Sequence, residues 1–353
     1  MTAAQSESAP PFARLPKAEL HLHLEGCLTP ALLVQLAARH GEKLDLEKVT
    51  QRYDTTTFAE FLDLFKWATS YLREPQDYAQ LAAQVASDLG EQHCLYAEIT
   101  LSVGVMLLRN QDVEANFAAI LDSIQRVQRD RSADAPHVNW IFDAVRQFGP
   151  EKAMDVARLA VQMKSKGVAA FGLGGNEESL PASDFRAVYD YIASEGLHRL
   201  AHAGEMGGPQ AIRDAIDILG AERIGHGISA IHDEKLMDVL IERQIPLEIC
   251  PQSNLCTGAL AKLLGVKQAR LEDHPLPKFV ARGVPVTLST DDPAMFHTSL
   301  NETYAAAMSK LGLTPAQLVS IAEAGFHHAF LPPAPQNALL HRFRTEAKTL
   351  NLL

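Results

Sequence analysis

Cysteine is scarce in this chain of 353 residues, and the scarcity removes whole classes of protein. Only Cys27, Cys94, Cys250 and Cys256 occur, with no Cys-x-x-Cys pair, so neither a disulfide framework nor a structural zinc ribbon is on offer. Basic charge is also in deficit, with 32 Lys and Arg against 43 Asp and Glu, a formal net charge of −11. Wrapping nucleic acid needs clustered Lys and Arg, and an anionic membrane calls for a polybasic patch; neither is present. No run approaches 18 apolar residues, and the N-terminus carries no apolar segment of the signal-peptide kind. The expected setting is cytoplasmic, and the expected partner is a small molecule, with no nucleic acid and no membrane.

What is present is ordinary globular material: 47% hydrophobic residues with 21 Gly and 19 Pro, enough to bury a large core. The length suits two average domains or one large α/β barrel. Residues 1–15, dominated by Ala, Ser, Pro and Gln, read as a flexible tail before a single domain over 16–353. Short apolar, β-prone runs then alternate with longer helical stretches. Eight strands are expected: Ala18–His23, Leu95–Leu101, Val138–Ala144, Val168–Leu173, Arg199–Ala203, Glu222–His226, Pro246–Cys250 and Pro285–Thr290. Several are almost wholly apolar, as parallel strands covered on both faces should be. Between them the pattern predicts helices such as Ala31–His40, Tyr78–Gln92, Val113–Arg129, Glu151–Lys166 and Pro209–Leu219.

That alternation allows a doubly wound sheet or a closed barrel. No Gly-x-Gly-x-x-Gly opens a helix after the first strand, which weighs against a dinucleotide-binding sheet. His21, His23, Gly174, Gly175, His202, His226, Asp291 and Asp292 all fall at strand C-termini. A closed barrel gathers those ends into one mouth, where such barrels keep their chemistry. The expected fold is a (β/α)8 TIM barrel with a site at that mouth.

Four segments carry chemistry. His21 and His23 stand two apart on a strand, so both imidazoles face one point, a natural bite for a metal, although paired core histidines share the pattern. His202-Ala-Gly-Glu205 offers an imidazole and a carboxylate able to shuttle protons; its bland counterpart is a buried His beside a helix cap. His226 lies between glycines that let a ligand approach, or sits in a plain turn. Asp291 and Asp292 end an apolar strand and would repel each other unless a metal, a substrate or a retained proton compensates, or unless they cap the helix before Pro293. Each feature alone is ambiguous; four at the ends of different strands of one barrel converge. His21, His23, His202 and Asp291 make a nitrogen–oxygen set suited to one divalent ion, Zn2+ above all. The end of the fourth strand, Gly174-Gly175-Asn176, has no Lys to bridge a second ion, so one metal is expected.

Taken in order, Lys-Ala-Glu-Leu-His-Leu-His-Leu-Glu-Gly, Gly-Leu-Gly-Gly-Asn-Glu, His-Ala-Gly-Glu, Arg-Ile-Gly-His-Gly, Glu-Ile-Cys-Pro-Gln-Ser-Asn and Ser-Thr-Asp-Asp-Pro resemble the adenosine deaminase family from Lys17 to about His328. The resemblance implies zinc-dependent hydrolysis of the 6-amino group of an adenine-type purine, with His21, His23, His202 and Asp291 as ligands. It implies that Glu205 protonates ring N1 and that His226 orients and deprotonates the attacking water and stabilises the developing charge. Asp292 is implied to hold N7, and the backbone of Gly175 to hold N3. Phe58, Phe61, Leu62 and Phe65 recur at i, i+3, i+4 and i+7, a stripe read as core packing by periodicity alone. The resemblance instead makes it a lid over the substrate, with Trp67 extending the surface.

Glu25 departs from the pattern, since adenosine-specific members carry Asp there against the ribose. Glu reaches about 1.5 Å further, roughly one C–C bond. Similar Glu-bearing sequences deaminate free adenine, or nucleosides altered at the 5′ position such as aminodeoxyfutalosine. The stretches from Glu98 and from Asp143 to Gln147 are expected at the mouth, with Arg146 facing an acidic substituent or engaged in a surface salt bridge. Ser253 is expected to support the metal from behind, and His93, His137, His198, His232, His274, His297, His327 and His328 to be structural. The cytidine deaminase signature is absent, so base flipping is not expected. A non-catalytic binder on this fold should have lost a ligand or Glu205, and none is lost.

Overall fold

The computed structural model describes residues 11–131 and 135–353. Eight strands form: β1 (Lys17–His23), β2 (Cys94–Leu101), β3 (His137–Val145), β4 (Val168–Gly174), β5 (His198–Ala203), β6 (Arg223–His226), β7 (Leu247–Ile249) and β8 (Val286–Leu288). They pair in chain order, every pair parallel. A bridge between Leu22 and Asp291 ties the last strand's end back to β1. Helices flank the ring, so this is the expected (β/α)8 barrel.

Local chemistry sets the helix starts. Thr29 caps its helix by accepting from Leu32 N, with Pro30 in the first turn. Thr57 and Glu60 form a reciprocal capping box at the start of the helix Phe58–Thr69. The helices Pro30–Arg39, Pro75–Glu91 and Gly149–Gln162 begin earlier than the apolar pattern alone suggested. The cause is proline in the first turn, where a missing N–H costs nothing. Strands β7 and β8 are shorter than expected, because the chain leaves the ladder just before the polar site residues. Beyond β8, the helix Pro315–His327 packs across β1 and β8 and covers the seam.

The lower half of the barrel interior is ionic. Arg223 is 1% exposed and pairs with Glu98 and, at 2.6 Å, with Glu248. Its guanidinium lies 3.7 Å over the Phe330 ring. Glu98 therefore belongs to this interior cluster and not to the mouth, a correction that follows from the buried cation it must neutralise. The tail is also shorter than composition suggested. Pro11–Arg14 makes a 3-10 turn, Phe12 and Leu15 are buried, and Lys17 Nζ donates to the carbonyls of Phe12 (3.0 Å) and Leu15 (2.6 Å). A buried lysine needs those acceptors, so it holds residues 11–15 on the barrel; residues 1–10 lie outside the described part. No described helix is long and apolar enough to cross a membrane.

Candidate active site

Alternation along β1 turns His21 and His23 into the barrel mouth. His21 Nδ1 is taken by Glu248 Oε2 at 2.7 Å, which leaves Nε2 facing upward, 3.3 Å from Asp291 Oδ1. His23 Nε2 is 3.3 Å from the same Asp291 oxygen and 3.3 Å from His202 Nε2. His21 Nε2 has no hydrogen-bond partner although it is buried. Four ligands at metal bonds of 2.0–2.1 Å in a tetrahedron lie about 3.3–3.4 Å apart, and these three separations match that spacing. His21, His23, His202 and Asp291 are thus a metal-binding cluster with all donors within 4.8 Å of one another. Asp291 also lies near His226 and Cys250, but burial pushes that thiol well up and keeps its proton.

Backbone geometry holds Asp291 in place. Its N–H donates to His21 O and its carbonyl accepts from His23 N, both at 2.9 Å, and its φ is +68°. His226 has φ +61°. Left-handed conformations at non-glycine residues cost about 1–3 kcal/mol each and persist where the surroundings enforce them. Ser253 Oγ donates to Asp291 Oδ2 at 2.7 Å, as its expected supporting place requires. Close approach is enabled by glycine: a Cβ on Gly225 would come within 2.8 Å of His21 Cε1, and one on Gly26 would overlap the Asp292 carboxylate.

Two acids beside the cluster are pushed toward their protonated form. Burial, reinforced by the charges of Asp291 and Glu177, pushes Glu205 well above the usual carboxyl range. Burial and the neighbouring Asp291 do the same to Asp292. Burial lowers His226 to about 3, so its ring is neutral; its Nε2 lies 3.7 Å from both Glu205 Oε2 and Asp291 Oδ2. The loop bearing Glu205 is gathered by Glu177, whose carboxylate accepts from the N–H groups of Gly204, Glu205, Met206 and Gly207 at 2.7, 2.9, 2.9 and 3.3 Å.

A cavity opens above the cluster, lined by His23, Ser102, Asp143, Gly175, Glu205 and Asp292 among others. Phe58, Phe61, Leu62 and Phe65 roof it, with Phe61 anchored on Phe296 at a ring separation of 5.0 Å. Trp67 does not join that roof. It faces the other side of its helix, packing on Tyr71 and under Arg52, whose guanidinium lies 3.9 Å from the ring. Glu25 is buried but turned aside: both its oxygens are engaged by Ser102, from N–H at 3.0 Å and Oγ at 3.2 Å, so Ser102 lines the cavity in its place. Arg146 is likewise neither at the mouth nor in a surface ion pair. It is 5% exposed and donates to the carbonyls of Leu180 at 3.1 Å and His202 at 3.5 Å.

The roles of Glu248, Glu177 and Thr257 are not legible in the sequence, and His274 is expected there only as a structural histidine. A charged residue inside the apolar run Leu247-Glu248-Ile249 was the available signal for the first. The others needed the fold, since Thr257 Oγ1 donates to Glu205 Oε1 at 3.2 Å from a distant turn.

The sequence profile described as Adenosine deaminase matches residues 16–346. Aminodeoxyfutalosine deaminase of Streptomyces coelicolor is 39% identical over 326 residues, 91% of this chain and 81% of that protein. Adenine deaminase of Agrobacterium fabrum is 30% identical, covering 94% of this chain and 98% of the relative. The crystal structure of adenine deaminase from Arthrobacter aurescens superposes with a TM-score of 0.85 at 29% identity, over 95% of this chain and 99% of that one. With the profile spanning nearly the whole barrel and its site, the chain belongs to the adenosine deaminase family and is a hydrolytic deaminase.

Proposed function

We propose that the chain binds one Zn2+ through His21, His23, His202 and Asp291 and removes the 6-amino group of a 5′-modified adenosine, such as aminodeoxyfutalosine, giving the 6-oxo nucleoside and ammonia. The observation that carries the reading is a metal-sized ligand set beside two carboxyl groups kept protonated by burial. Zinc held there would supply Lewis acidity, which lowers the pKa of a bound water to about 7. Glu205 holds a proton at ring N1 and Asp292 donates to N7. Both draw electron density from C6, where attack on an aromatic ring is otherwise slow. The Gly175 backbone meets N3, and His226 faces the attacking oxygen. The Phe58–Phe65 stripe excludes water and sharpens the electrostatics below it.

Substrate class rests on Glu25 and on the relatives. Folded back onto Ser102, Glu25 is not among the residues that line the cavity, which supports room for a ribose. Aminodeoxyfutalosine deaminases at 39% and 37% identity support the 5′-modified nucleoside. Free adenine is the second reading, supported by adenine deaminases at 30% and 34%. Ammonia release from adenine, adenosine, 2′-deoxyadenosine and a 5′-substituted adenosine, measured side by side, separates them. The account expects the 5′-substituted compound to give the highest kcat/KM. Release from adenine alone would replace it with the second reading.

A further inference from the structure

His226 is wired to the protein through its far nitrogen. His226 Nδ1 lies 3.1 Å from Asn254 Nδ2, Asn254 Oδ1 lies 3.2 Å from His274 Nε2, and His274 Nδ1 accepts from the backbone N–H of Leu276 at 3.1 Å. His226, Asn254 and His274 are 1%, 0% and 3% exposed, so each polar atom must find its partner within the chain. The row has one end whose sense is fixed, because a backbone N–H donates and never accepts. His274 Nδ1 must therefore offer a lone pair, and its proton sits on Nε2. That N–H needs an acceptor, which places the Asn254 oxygen toward His274 and the amide nitrogen toward His226. A reversed amide would set two donors face to face, and a doubly protonated His274 would point an N–H at the Leu276 N–H. The Asn254 amide hydrogen then requires a lone pair on His226 Nδ1, so the His226 proton resides on Nε2. That nitrogen is the one 3.7 Å from Glu205 Oε2 and from Asp291 Oδ2.

We propose that Asn254 and His274 are positioning residues whose task is to fix His226 as its Nε2–H tautomer, so that the charge-stabilising role expected of His226 is carried by an Nε2–H donor toward the attacking oxygen. The role rests on the deaminase reading above; the tautomer does not. It keeps the expected charge stabilisation and departs from the expectation that His226 deprotonates the attacking water, because a nitrogen already carrying its proton has no lone pair to accept another. The water's proton then goes to the Glu205 carboxylate, left bare once N1 is protonated and 3.7 Å from His226 Nε2, and from there to the leaving amine. A fixed N–H aimed at the developing charge costs no reorganisation during the reaction, which is where such donors are most effective. None of this was visible in the sequence, where His274 stood as one of eight structural histidines.

Asn254→Asp tests the proposal at nearly constant volume. A carboxylate accepts from both neighbours, so His226 should move its proton to Nδ1 and present a bare Nε2. The expected result is a fall in kcat of about 10²-fold or more with KM changed only a few-fold, the size of losing one such donor. Metal content should stay that of the parent. Nitrogen-15 NMR of labelled histidine in the zinc enzyme reads the tautomer without substrate, with His226 identified by the signal lost in His226→Gln. The parent should show a protonated Nε2 and a bare Nδ1, and Asn254→Asp the reverse. A variant retaining kcat within about three-fold, or a parent spectrum with the proton on Nδ1, overturns the proposal. Should Asn254→Asp fail to fold, the parent spectrum decides alone. If no purine is turned over while the spectrum is as stated, the deaminase reading falls and the tautomer assignment is upheld.

Discussion

At the scale of residues, Glu205 and Asp292 share one electrostatic logic: each sits close to an ionised Asp291 and out of water, so each keeps its proton. Their folded pKa values are raised, so the protonated, working forms prevail below those values and disappear as pH rises through them. The alkaline limb of the kcat–pH profile in metal-saturated enzyme should therefore report both carboxyl groups, and Glu205→Gln should remove its share while leaving that of Asp292. That variant should keep its metal and lose roughly 10²–10⁴-fold in turnover, the usual contribution of a general acid. Substantial residual turnover would contradict the role. Glu248 is the second residue to test. Its carboxylate orients His21 through Nδ1 while Arg223 holds it from below. Glu248→Gln should weaken metal retention by about 10–100-fold in chelator competition. An unchanged affinity would demote Glu248 to a purely structural ion-pair partner.

At the scale of elements, two pieces shape the cavity. The helix Phe58–Thr69 buries Phe61 against Phe296 while presenting Phe58, Leu62 and Phe65 to the cavity. Phe61→Ala should raise KM and lower stability by about 3 kcal/mol, the lower end for a buried aromatic, read from turnover and denaturant unfolding. The second piece is the turn Gly204–Gly207 collected by Glu177. An amide cannot accept four N–H groups, so Glu177→Gln should shift Glu205 and lower kcat toward the roughly 10²-fold that a 1 Å misplacement costs. KM should change little. The helical stripe was legible because its 3.6-residue period survives in the sequence, and so were the metal ligands, since strand alternation and strand-end placement are local. Trp67 was misread because it lies just past the stripe on the opposite face. Arg146 was misread because only the folded chain shows which carbonyls a buried guanidinium can reach.

At the scale of the whole molecule, the barrel brings residues as distant as His21 and Asp291 into hydrogen-bonded register, with the seam between the first and last strands running through the metal site. The alternation of strands and helices left a doubly wound sheet open, and the polar residues and glycines at the strand ends pointed to that closure. The ionic pairing of Arg223 with Glu98 and Glu248 was not legible, because a charge in a strand, even within the apolar run Leu247-Glu248-Ile249, does not reveal its partner until the neighbouring strands are known. Ligands drawn from β1, β5 and the end of β8 also link metal binding to folding. At metal concentrations 100-fold above Kd the linkage is worth about 2.7 kcal/mol, so chelation should lower Tm and zinc should restore it.

A single zinc site at the barrel mouth is proposed to perform adenine-type deamination. Its most direct test is to strip the metal, add Zn2+ in steps, and follow ammonia release from a 5′-substituted adenosine and from adenine. The stripped protein should release none, and release should rise linearly and level at about one zinc per chain. Full turnover without metal, or none from either compound at one zinc per chain, would contradict it.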